Sequence, residues 1–190
     1  MANKNIANLV LLFISAFTIS TSAQNTNNNS IHKKENLYFD AFIGTQVSGI
    51  RSEDYVTSNF APYYQVSVGK ILSNKFSVNI NFQGPYFNFI GDDYKHNYQY
   101  LGSDLLLDLF NAFNKSYCGK WNIYLFAGPG LLFNNYINKT NFCISGGLIT
   151  EYRYKTIGFK FKASAIAGYK IYQHDKDALT NISIGISKYF

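Results

Sequence analysis

Seven charged residues stand out in this sequence for the side of the chain they occupy: Asp40, Asp104, Asp108, Glu151, Arg153, Lys160 and Lys162. Each sits among small or polar residues inside a segment whose remaining positions are apolar. Four acids and three bases gathered on one buried face would be very costly unless paired, so a paired ionic network is expected. Their near balance points to a structural plug, because a selective path for ions shows an excess of one sign. Other residues with chemical potential are scattered. His32 lies in a polar stretch, His96 follows Asp92 and Asp93, and His174 precedes Asp175 and Asp177. A catalytic set needs a nucleophile, a base and a group that orients the base. No such spacing surrounds these histidines, and none of metal-ligand type does either. Gly128-Pro129-Gly130 lacks the third glycine and following helix of a nucleotide loop, and reads as relief of crowding. The expectation is no catalysis, no metal and no cofactor.

The elements that must hold these residues are strands. From residue 36 onward the dominant period is two, which puts alternate side chains on opposite faces. Phe76, Val78, Ile80 and Phe82 oppose Ser77, Asn79, Asn81 and Gln83. Leu37, Phe39, Ala41 and Ile43 oppose Tyr38, Asp40 and Gly44, with Phe42 out of pattern. Leu101, Leu105, Leu107 and Leu109 oppose Gly102, Asp104 and Asp108. Similar alternation runs through Tyr64–Gly69, Trp121–Gly128, Phe142–Arg153, Ile157–Ser164 and Asn181–Ser187, which makes eight segments. Short turns are expected at 72–75, 110–119 and 154–157. Polar loops are expected at 48–59, 84–98, 134–140 and 172–178, holding the aromatics Tyr86, Phe87, Phe89, Tyr94, Tyr98 and Tyr136. Cys118 then falls at the turn end and Cys143 near the loop end, too far apart for a disulfide.

Composition narrows the class. The chain has 190 residues, 15% of them charged and 18% aromatic, against roughly 25% charged in soluble domains. The aromatic content excludes disorder, and two cysteines exclude a disulfide scaffold. Lys4, the apolar run from Leu9 to Ile19 and the small residues before Gln24 form a secretory signal, cleaved near Ala23. The apolar run is too short to span a bilayer as a helix. Removing residues 1–23 takes one lysine, so the net charge falls from +6 to +5. Residues 24–35 read as a flexible polar lead-in, and residues 36–190 as one domain. The expected fold is all-β: an eight-stranded antiparallel up-and-down transmembrane β-barrel, apolar outward and polar inward. A soluble barrel of lipocalin type would need a charged outer face, and the polar face here is mostly Gly, Ser, Asn, Gln and Tyr.

The end of the chain, Ser183 to Phe190 (SIGISKYF), resembles the aromatic-terminated last strand read by the outer-membrane assembly machinery. Lys188 replaces the usual hydrophobic residue and could snorkel at the membrane rim. With Tyr100–Phe113, Tyr124–Phe133 and Ser145–Tyr154, the chain resembles Bacteroidetes outer-membrane β-barrels of the broad OmpA/OmpX-like class. It is similar in size to TraO-type barrels of conjugative elements. The resemblance implies an outer-membrane location in a Gram-negative bacterium and a structural or binding role. Its partners would be outer-membrane lipid, lipopolysaccharide, the assembly machinery and an extracellular protein or glycan. The positive net charge is not read as nucleic-acid binding, since no basic run or motif supports it. The rival roles are a lipid A-modifying enzyme, which would use a loop histidine, and a small channel.

Overall fold

Alternation along each strand decides how this chain folds, because a sheet with one apolar and one polar face must close or stack to separate them. The computed structural model describes residues 36–48, 60–90, 94–113, 119–135, 138–169 and 177–190. The expected signal segment, the lead-in, Cys118, Tyr136, His32 and His174 lie outside the described residues.

Eight strands are described: β1 (Leu37–Ser48), β2 (Phe60–Ile71), β3 (Phe76–Ile90), β4 (Tyr94–Asp108), β5 (Trp121–Asn134), β6 (Lys139–Tyr154), β7 (Ile157–Gly168) and β8 (Asp177–Tyr189). Each pairs antiparallel with its sequence neighbour, and β1 pairs with β8, so the sheet closes into a barrel. Closure removes both sheet edges. The seam is held to its last residue, where the Phe190 amide donates to the Leu37 carbonyl at 2.9 Å. The ends of the chain segment therefore meet at the same end as the turns after β2, β4 and β6, here called the turn end. The other is the loop end.

The wall is inverted relative to a soluble protein. On β8, Ile184 is 61% exposed on the outside while Ser183 is 2% exposed on the inside. The same contrast holds for Phe159 and Phe161 against Lys160 and Lys162 on β7. Phe42 obeys the alternation after all. It faces inward with Tyr38 and Asp40 and is buried, an apolar filler of the barrel interior. Leu106, Phe126, Leu132 and Ile149 fill the interior in the same way.

Two connectors differ from expectation. Residues 84–90 and 94–98 are strand rather than loop, since β3 and β4 continue pairing from Tyr86↔Tyr98 out to Ile90↔Tyr94. The polar and aromatic mixture there blurred the period, and a register shift between Gln83 and Tyr86 broke it. That shift is a bulge. Gly84 takes φ 112°, open to glycine, and Pro85 has no amide to give to the ladder. His96 consequently stands on β4, opposite Asn88 in register. Tyr98 is buried inside the barrel rather than in an outer loop. The long turn after β4 contains a short helix, α1 (Leu109–Phe113), so Leu109 leaves the strand pattern.

Candidate functional site

The interior of the barrel is the candidate site. Six of the seven charged positions, Asp40, Asp104, Asp108, Glu151, Lys160 and Lys162, are buried, and the Arg153 side chain is 29% exposed. They separate into groups at successive depths.

Nearest the turn end is Glu151, whose carboxylate collects three partners. Tyr189 donates its hydroxyl at 2.5 Å, Tyr124 donates at 3.0 Å and the Arg153 guanidinium lies at 3.5 Å. Arg153 also stacks over the Tyr189 ring, 3.6 Å from its centroid. One charge pair and two aromatic rings thus gather toward the turn-end mouth. Gly158 faces Glu151 on β7, and a side chain there would occupy the place of its carboxylate.

Next comes Asp40. Lys160 donates to it at 2.9 Å, Ser187 at 2.5 Å and Ser67 at 3.2 Å. Lys160 is the cross-strand neighbour of Glu151, which links the two groups. Lys160 also lies over the Tyr38 ring at 4.8 Å.

The third layer holds Asp104 and Lys162, which form no direct pair with each other. Asp104 accepts from the Asn81 amide at 2.7 Å and from the Ser145 hydroxyl. Lys162 donates to the Gln65 side-chain oxygen at 2.6 Å and faces the Phe126 ring at 4.8 Å. Gln65 also accepts from Tyr63 and from Gln83. A buried cation is thus met by neutral oxygens and an aromatic face, a weaker but workable form of compensation.

Asp108 belongs elsewhere. Its carboxylate accepts from the Asn111 backbone amide at 3.0 Å and from the Asn111 side chain at 2.9 Å. That is the geometry of a residue capping a helix N-terminus, three positions ahead of the amide it satisfies. With Asp108 engaged there, Asp40, Asp104 and Glu151 face Arg153, Lys160 and Lys162. The interior is formally balanced, three against three.

Above these layers, toward the loop end, the filling turns apolar. Phe42, Tyr63, Tyr98, Tyr100, Leu132, Cys143, Ile166 and Leu179 form one buried cluster. Gly102 and Gly130 flank the Tyr100 ring, and a Cβ at either position would collide with it. Tyr98 accepts from the Gln46 amide. Cys143 is a buried free thiol in this cluster.

Sequence reading located the charges and missed their partners. Tyr63, Gln65, Asn81, Tyr124, Ser145, Ser187 and Tyr189 do most of the hydrogen bonding. Their signal was parity: each shares the inward face with a charged residue on its own strand or on the next. Among the described residues no group of three or more His, Cys, Asp or Glu side chains gathers as a metal site. No described helix is long and apolar enough to cross a membrane.

No protein-family model and no curated protein matches the chain. Solved structures do. Neisserial surface protein A superposes with a TM-score of 0.60 at 15% identity, over 81% of this chain and 97% of that one. The N-terminal β-barrel domain of OprF from Pseudomonas aeruginosa gives 0.50 at 14% identity, over 80% and 97%. These neighbours are eight-stranded outer-membrane β-barrels. At such identities the likeness concerns the fold alone.

Proposed function

We propose that this protein is an integral outer-membrane β-barrel of the Bacteroidetes type, cleaved from a signal peptide near Ala23, whose lumen is a packed core. Its role is structural or interactive: envelope integrity, adhesion or partner binding through segments at the loop end. No catalytic step is assigned to it.

The observation that carries this reading is the inverted wall. Outward residues such as Ile43, Phe142, Ile184 and Ile186 are each more than half exposed, while Lys, Asp, Gln and Ser side chains point inward. In water that arrangement would be unfavourable at every strand. In a bilayer each outward side chain meets hydrocarbon, and closure pairs every described strand with a neighbour on both sides. Length supports the same reading. A strand of 12 residues such as β1 extends about 40 Å at about 3.3 Å per residue. Tilted by about 45°, it covers about 28 Å, close to the hydrocarbon thickness.

The layers described above support a filled lumen, with the Arg153–Tyr189 stack in one half and the buried cluster around Tyr98 and Leu132 in the other. The last strand, ending Tyr189-Phe190, supplies the segment for the assembly machinery. Outer-membrane lipid and lipopolysaccharide are the surrounding partners.

Membrane fractionation with a heat-shift gel tests the reading directly. The expected result is recovery in the outer membrane and faster migration of unheated sample. A soluble product with no mobility shift would overturn it. In planar bilayers the purified protein is expected to give no steady ohmic conductance. Lipid A from cells with and without the gene is expected to show the same acylation by mass spectrometry.

A further inference from the structure

The outer wall is not uniform around the barrel. Across the outer face of β5 to β8 and on to β1, an apolar groove of about 590 Å³ runs along the outside, lined by Trp121, Tyr152, Phe159, Phe161, Ile184 and Ile186. Its walls are tall because Trp121 and Tyr152 stand together, with ring centroids 5.1 Å apart. Its floor is low at Ala41, which lies opposite Ile186 in register.

Register places a basic cluster at the turn-end mouth of this groove. Tyr152, Phe159, Ile186 and Ala41 form one cross-strand row. The next outward-facing row toward the turn end is Tyr154, Ile157, Lys188 and Phe39. Lys188 donates to the Thr156 hydroxyl at 2.8 Å, which holds its ammonium beside the β6–β7 turn. Lys155 occupies that turn, at φ 54°. Lys155 and Lys120 both approach the Tyr154 ring, at 5.6 and 5.8 Å from its centroid. Three exposed ammonium groups thus gather about one turn. Among the described residues none of them pairs with a carboxylate. Asp40, Asp104, Asp108 and Glu151 are all buried.

We propose that this groove and its three lysines form a binding site for an anionic phospholipid of the leaflet at the turn end. Acyl chain lies along Phe159, Phe161 and Ile184, and the phosphate is met by Lys120, Lys155 and Lys188. The inference rests on the membrane reading above. Two features argue for this occupant over an acidic protein. The charges sit at the rim of a lipid-facing wall rather than on a separate surface, and the apolar part opens directly beneath them. Lysines next to interfacial aromatics reach headgroup phosphates while their stems stay on apolar surface.

Native mass spectrometry of the purified full-length barrel in detergent provides the test, with phosphatidylglycerol or phosphatidylcholine as the added lipid. Wild type is expected to retain phosphatidylglycerol in preference. Removing charge through K120Q, K155Q and K188Q, singly and together, is expected to lower that preference by about fivefold for each lysine. K70Q, near the end of β2, with K75Q, in the β2–β3 turn, is expected to leave it unchanged. Ala41→Phe, which fills the groove without altering charge, is expected to weaken both lipids alike. Wild type without preference, or a triple variant that keeps it, would overturn the site. So would an equal effect of K70Q with K75Q, which would mean a diffuse basic rim. Preferential binding of peptidoglycan fragments through the same lysines, with no phospholipid preference, would also overturn it. Insertion into phosphatidylcholine vesicles separates the two levels. A barrel that inserts there but shows no phosphatidylglycerol preference loses only this site, whereas one that does not insert loses the membrane reading as well.

Discussion

The two halves of the barrel interior solve one packing problem with different chemistry. Toward the turn end the space is filled by charges and hydroxyls: Glu151 with Tyr124, Tyr189 and Arg153, then Asp40 with Lys160, Ser67 and Ser187. Toward the loop end it is filled by Leu132, Ile166, Leu179, Phe42 and three tyrosines. Between them, Lys162 is held by amide and hydroxyl oxygens and by the Phe126 face. The difference teaches that a narrow barrel requires volume at every level but not one kind of filler. Hydrogen-bonded charge fixes which strand faces which, because each partner has a direction. Apolar filling is indifferent to direction and depends on shape, which is why Gly102 and Gly130 must stay small beside Tyr100.

Breaking the charged half should have the largest effect. Lys160→Met leaves Asp40 buried with two serines and no cation, and is expected to cost about 3–5 kcal/mol. Guanidinium unfolding of the barrel in micelles measures it, and adding Asp40→Asn should restore much of the loss. A change under about 1 kcal/mol would mean the pair behaves as a solvated surface ion pair, erasing the contrast between the halves. In the apolar half, Leu132→Ala should cost about 2–5 kcal/mol through the cavity it leaves. No second polar substitution should recover that loss, and recovery by one would show the loop-end half to be polar in character.

Lys162→Met sharpens the boundary between the halves. Its hydrogen-bond partners are neutral and no carboxylate pairs with it directly, and Gln65 keeps its bonds from Tyr63 and Gln83. The same unfolding measurement should show a loss of about 1–3 kcal/mol, smaller than at Lys160. A loss as large as that of Lys160→Met would mean that its charge, and not its hydrogen bonds, matters to the third layer. The smallest effect is expected at Asp108, which belongs to neither half. Asp108→Ala removes a helix cap and should cost about 1 kcal/mol. Hydrogen exchange should show the change confined to α1 and the neighbouring turn.

Much of this was legible in the chain. The alternation in Phe76–Gln83 and in Ile157–Ser164 gave strand type and facing together, since the side-chain period of a strand is two. The segment around residues 84–98 was harder to read. A bulge at Gly84-Pro85 shifts the register, so alternation on one side of it does not predict the other. Asp108 misled for a related reason. Its parity was inward, but a strand pattern holds no information about where the strand ends and a cap begins. Phe42 looked exceptional only because the interior was expected to be uniformly polar.

By itself, then, the sequence determined that this protein would form a two-faced, eight-segment β-sheet with charges on the less apolar face. Alternation is a local property, set by the geometry of each strand. Which charges pair was decided only by the closed barrel. Lys160 and Asp40 are 120 positions apart and meet across the lumen because β1 joins β8 and β8 joins β7. The gathering of Lys120, Lys155 and Lys188 about one turn is equally a product of register. The physical reason is the same in both cases: distances across a closed sheet depend on how every strand is staggered against the next, and no single strand contains that number.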